Sequence, residues 1–92
     1  MATLNFSKQG DSYVAIFTAT ADFNIHIEKP NGAIVVEQSS VEGAEYAPIK
    51  DLNLGINNQV VDVDFAALVY PKYIRVKSAT MPTMAVVTFN QA

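Results

Sequence analysis

Ninety-two residues make a single domain, 1–92, because a chain of this length has no room for a second core. Half of the residues are apolar, 16% are charged and the mean hydropathy is +0.17, which excludes a disordered chain. The absence of cysteine excludes disulfides and thiol chemistry, the single histidine (His26) excludes a multi-histidine metal site within one chain, and a net charge of −3 speaks against a partner bound through its phosphates.

The apolar positions repeat with a period of two. Phe23, Ile25 and Ile27 alternate with Asn24, His26 and Glu28. Val61, Val63 and Phe65 alternate with Asp62 and Asp64, and Ile74 and Val76 with Tyr73, Arg75 and Lys77. A strand with one buried face requires this pattern, because successive side chains point to opposite sides. In chain order the alternation predicts eight short strands, at 3–8, 13–20, 23–28, 33–39, 45–49, 59–65, 73–78 and 83–90. Turn residues separate them: Gln9-Gly10-Asp11-Ser12, Pro30-Asn31-Gly32, Glu42-Gly43, residues 51–58 and Met81-Pro82. Essentially no helix is expected, since only residues 65–69 suit a helical turn and Pro71 stops it. The expected fold class is all-β, an antiparallel β-sandwich of jelly-roll or immunoglobulin-like type.

Residues 23–39 read as a hairpin. A tight turn at Asn31-Gly32 places Ile27 opposite Val36 and His26 opposite Glu37. The competing turn, with Pro30 at its second position, places Ile27 opposite Val35. We prefer the first, which pairs apolar with apolar and His26 with a carboxylate.

Few residues suggest chemistry. Asp62 and Asp64 share one strand face about 7 Å apart, which suits a cation or acid/base work less well than the solvent face of an amphipathic strand. Residues 51–58 lack the acidic density of a calcium loop and read as a surface loop anchored by Leu52, Leu54 and Ile56. His26 has no nucleophile motif beside it and reads as a cross-strand surface residue. We therefore expect no enzyme, no catalytic residue, no cofactor and no metal. Lys72, Arg75 and Lys77 form a basic cluster beside Tyr70 and Tyr73. In an acidic chain, a solvated face or a patch for an acidic neighbouring subunit suits them better than nucleic acid.

The N-terminus has no basic stretch leading into an apolar run, and no apolar run reaches the roughly 20 residues of a membrane span. We expect synthesis in the cytoplasm, with no signal peptide and no membrane. Some apolar residues have no place in the inward alternation: residues 66–69, Ile56, Met81, Met84 and one of Val86 and Val87. Contiguous exposed apolar surface marks interfaces, so the chain is expected to assemble with copies of itself or with a larger partner.

Two segments carry a resemblance. They are Asp22-Phe23-Asn24-Ile25-His26-Ile27-Glu28 and the stretch that runs from Pro71-Lys72-Tyr73-Ile74-Arg75-Val76-Lys77-Ser78 through Met81-Pro82 to Val87-Thr88-Phe89-Asn90. Together they resemble small β-sandwich virion proteins, the auxiliary capsid and head-fibre proteins of crAss-like tailed bacteriophages. The resemblance implies a structural role in many copies at the capsid surface. It implies a decorating protein that binds the capsid shell or anchors head fibres, with other virion proteins and possibly itself as partners. The alternative is a glycan- or host-surface-binding module of a fibre or adhesin, for which Tyr13, Tyr46, Tyr70 and Tyr73 are the available rings. The expected contact residues are Ala66, Leu68, Val69, Tyr70, Lys72, Tyr73, Arg75 and Lys77.

Overall fold

In the computed structural model the described residues are 2–28, 32–53, 60–66 and 69–89, with 51–53 described as backbone. The elements are β1 (Ala2–Thr3), β2 (Ser7–Gln9), β3 (Ser12–Ala19), β4 (Phe23–Glu28), β5 (Ala33–Ser39), β6 (Ala47–Asn53), β7 (Val60–Phe65), β8 (Lys72–Ser78) and β9 (Met84–Phe89). One sheet has the order β1-β9-β4-β7 and the other β2-β3-β8-β5-β6, and every pairing is antiparallel. No helix occurs among the described residues. The all-β, two-sheet class read from the alternation is therefore what the chain adopts.

The alternation sorts the side chains as a sandwich demands. Phe23, Ile25, Ile27, Val61, Phe65, Ala85 and Val87 point inward from the first sheet, and Ala15, Ala19, Ile34, Val36, Ile74 and Val76 from the second; all are buried in one cluster. Phe23 lies at the centre of an aromatic group. Its ring stacks on Phe65 at 5.1 Å and meets Phe17 edge-on at 5.3 Å, and Phe89 lies 6.3 Å away. The buried hydroxyls are satisfied locally: Ser78 donates to the Thr80 carbonyl at 2.7 Å and Ser39 to the Val41 carbonyl at 2.8 Å, each just beyond a strand end.

Four expectations need correction. The hairpin over 23–39 does not form, because β4 and β5 lie in different sheets. His26 is paired with Asp62 and Val86, and Ile27 with Val61 and Ala85, so neither register applies. The physical reason is that two strands with one apolar face bury it equally well across a sandwich as beside each other. Ile27 and Val36 are both buried in the one core, from opposite sheets. At the end of this connection Gly32 has φ +131°, and a Cβ there would stand 3.3 Å from the Ala79 Cβ. Residues 29–31, which carry the Pro30-Asn31 turn, lie outside the described residues.

The first strand, expected at 3–8, is two strands. Ala2–Thr3 pairs with β9 and Ser7–Gln9 with β3. Between them the chain passes from sheet to sheet, burying Leu4, whose amide donates to the Ala85 carbonyl at 2.8 Å. The loop expected over 51–58 begins late, because 51–53 continue β6 against Ala33, Ile34 and Val35. Residues 54–59, with Leu54 and Ile56, lie outside the described residues. Ala66 and Val69 are not helical, and Ala67 and Leu68 lie outside the described residues.

Candidate functional site

The two sheets turn different chemistry outward. On the first, the outer side of β4 carries Asn24, His26 and Glu28. Register places Asp64, Asp62 and Val60 of β7 opposite them on one side, and Thr88, Val86 and Met84 of β9 on the other. The Asn24 side-chain amide donates to Asp62 Oδ1 at 2.5 Å and to Asp64 Oδ1 at 2.9 Å. His26 Nδ1 lies 3.0 Å from Asp62 Oδ2, and its Nε2 lies 2.9 Å from Glu28 Oε2. Carboxylates only accept, so both contacts are hydrogen bonds only when the ring carries two protons. The Glu28 contact, and after it the Asp62 contact, raise the His26 pKa above its ordinary 6.5. The Asn24 amide, and after it His26, hold the Asp62 carboxyl below its ordinary range.

This face is an interlocked surface network in which the polar atoms answer one another. Among the described residues, no group of three or more histidine, aspartate and glutamate side chains is arranged to hold a metal ion. Asp62 and Asp64 do share one outward face, as the alternation predicts. Asn24 joins them, a role that alternation placed on the right face without revealing the partner.

On the second sheet, β8 points Tyr73, Arg75 and Lys77 outward. Ile16 and Glu37 flank Arg75, and Val14 and Val35 flank Lys77. Arg75 Nε donates to Glu37 Oε1 at 2.7 Å, and its guanidinium lies 4.4 Å from the Tyr46 ring centroid. The Glu37 hydrogen bond raises the already high pKa of Arg75. Lys77 is exposed and makes no ion pair among the described residues.

The expected contact residues do not form one patch. Tyr73, Arg75 and Lys77 share the outer face of β8. Lys72 points elsewhere and donates to Ser40 Oγ at 2.8 Å. Ala66 and Val69 are exposed, Val69 at 76%, and Leu68 lies outside the described residues. Tyr70 is half-buried against the core and donates its hydroxyl to Asp22 at 2.6 Å, so its ring serves the fold. The four tyrosines make no shared platform: Tyr46 has Arg75 over its ring, Tyr70 is packed inward, and Tyr13 and Tyr73 project from opposite parities of paired strands.

Of the apolar surplus, Ile56, Ala67 and Leu68 lie outside the described residues. Met81 and Met84 are exposed, Val86 faces outward and Val87 is buried. Sequence reading missed Ile16 and Val60, which are 57% and 55% exposed. Ile16 left no clear signal because it shares its parity with Val14 as well as with Ser12 and Thr18, so that side of the strand is mixed. A groove of about 390 Å³ runs between residues 3–6 and 81–86, lined by Leu4, Phe6, Met81, Pro82 and Met84 among others, with no ionisable side chain. No helix among the described residues is long and apolar enough to cross a membrane. Set against family models, curated proteins and solved structures, the chain matches none.

Proposed function

We propose that this domain is a structural protein of a tailed-bacteriophage particle, an auxiliary capsid protein that decorates the shell or anchors head fibres, and that it works by surface contact with no chemical step. The observation that carries the reading is the outward placement of Ile16, Val60, Met84 and Val69 on a small sandwich whose core is already filled. The outer face of an antiparallel sheet is ordinarily polar, so apolar side chains there call for a covering surface.

The strand order adds support. Setting aside the short β2, β1-β9-β4-β7 faces β3-β8-β5-β6, and apart from the β2–β3 and β5–β6 hairpins each connection passes between sheets. We read this as jelly-roll wiring, an architecture used by capsid and lectin domains. Fold alone does not assign function, and the exposed apolar residues are what tip the reading toward assembly. The docking residues in this reading are Tyr73, Arg75 and Lys77 on the outer face of β8, with Ile16 beside Arg75.

Mass spectrometry of purified particles from the genome that encodes the chain tests the proposal. Presence in many copies per particle is expected, with loss of attachment when Arg75 and Lys77 are both changed to glutamate. Absence from the particle, together with binding on a glycan array, overturns it in favour of a glycan-binding module.

A further inference from the structure

The outer faces of the two sheets are complementary, and we propose that the occupant of the β8 face is the β4–β7 face of a second copy of this chain. Three observations carry this. First, both outer faces break the polar rule of a solvated sheet. Exposed Met84 and Val60 flank Glu28 on one, and exposed Ile16 and half-buried Val35 flank Arg75 and Lys77 on the other. A closed two-fold dimer covers one face and leaves the other exposed.

Second, the charges are opposite in sign. The first face carries Glu28, Asp62 and Asp64 around His26. Asp62 has both oxygens engaged, with Asn24 and His26, whereas Glu28 and Asp64 each have one oxygen engaged, with His26 and Asn24. The second face carries Arg75, whose charge Glu37 on the same face already answers, and Lys77, exposed and without an ion pair among the described residues. Each face meeting its own kind sets like charges together, whereas face against opposite face pairs them.

Third, the dimensions suffice. The domain measures 33 × 29 × 20 Å, so a broad face accommodates the roughly 800 Å² per partner of a specific interface. Contact between opposite faces is heterologous and propagates. It closes into a ring or runs on as a stack with a repeat near the 20 Å thickness. Apolar contact supplies the attraction, and the charges set orientation and partner choice.

This inference rests on β8 being a docking face, and its test separates it from the virion reading. Sedimentation of the purified chain up to millimolar concentration, at low and high salt, is expected to show association that grows with concentration and weakens with salt. Lys77→Glu sets a new carboxylate against the acidic β4–β7 face, and Asp64→Lys sets a lysine on that face against Lys77. Each variant alone is expected to associate roughly tenfold more weakly, and an equal mixture of the two to recover wild-type association. Circular dichroism checks that each variant folds, and Glu28→Lys replaces Asp64→Lys if the latter does not. Recovery in the mixture is the signature of opposite faces meeting. A chain that stays monomeric throughout overturns the stack, and if it still decorates particles, the capsid reading survives. A dimer that stops at two copies, or one lost with only one of the two reversals, also overturns it.

Discussion

The strands β4 and β8 are the clearest comparison within this molecule. Each is flanked on both sides by antiparallel partners, and each buries every second residue: Phe23, Ile25 and Ile27 in one, Ile74, Val76 and Ser78 in the other. Inward they differ little, because the core asks only for apolar volume and local satisfaction of the serine hydroxyl. Outward they are opposites. On β4 a histidine joins two carboxylates, an arrangement that depends on a proton. On β8 an arginine is fixed to Glu37 and lies over Tyr46, an arrangement indifferent to pH across the neutral range. The same alternation therefore serves two ends: its inward half secures the fold, and its outward half sets charge and recognition.

The largest expected effect lies inside. Phe23→Ala removes the ring that Phe17, Phe65 and Phe89 surround and should cost about 3–5 kcal/mol, read as a lower urea midpoint. Ile74→Ala, the counterpart on β8, should cost about 2–4 kcal/mol, since it leaves a smaller void and no ring contact is lost. An equal or larger loss for Ile74 would move the centre of the core from the aromatic group to the β8 side.

Outward substitutions should cost less. Glu37→Ala breaks the partly exposed Arg75 pair and should cost on the order of 1 kcal/mol, diminishing with salt. A cost that salt leaves unchanged would mean that the carboxylate acts through packing.

The smallest effect is the one that distinguishes the two strands by pH. The His26 pKa is raised in the folded chain, so its contribution is fully present below 6.5 and is lost as pH rises through the higher folded value. The Asp62 pKa is lowered, so its contribution is present above 3.8 and is lost as pH falls through the lower folded value. Both act between those limits. The melting temperature should therefore decline slightly from mildly acidic to alkaline pH in the wild type. His26→Ala should flatten that decline, and Glu37→Ala should leave it intact. A decline that survives His26→Ala would assign the pH response to another group.

Much of the fold was legible in the chain itself. Period-two alternation over 23–28, 61–65 and 73–78 placed those strands within a residue and named their inward faces correctly, because burial of one sheet face dictates that period. The turn at Gly10-Asp11 was equally legible, and there the chain does reverse between β2 and β3. β3 was harder: in Ser12–Ala19 one parity mixes Ser12 and Thr18 with Val14 and Ile16, and only packing shows that Ala15 and Ala19 go in while Ile16 goes out. The outward network was legible by halves. Asn24, His26 and Glu28 were on one face from their spacing, and so were Asp62 and Asp64. That these two sets meet depends on β7 lying beside β4, a pairing between strands more than thirty residues apart.

By itself, then, the sequence determined the class of structure, the inward residues of most strands, the absence of thiol chemistry and an excess of apolar residues over what one small core holds. Tertiary structure decided which strands are neighbours. It sent β4 and β5 to opposite sheets, gave His26 to Asp62 rather than Glu37, and set the face of Glu28, Asp62 and Asp64 and the face of Arg75 and Lys77 on different sheets. The physical reason is that alternation is a local property of a strand. Which strand receives its hydrogen bonds is settled by the joint packing of both sheets around one core, where an apolar face is satisfied as well by a partner across the interior as by one alongside.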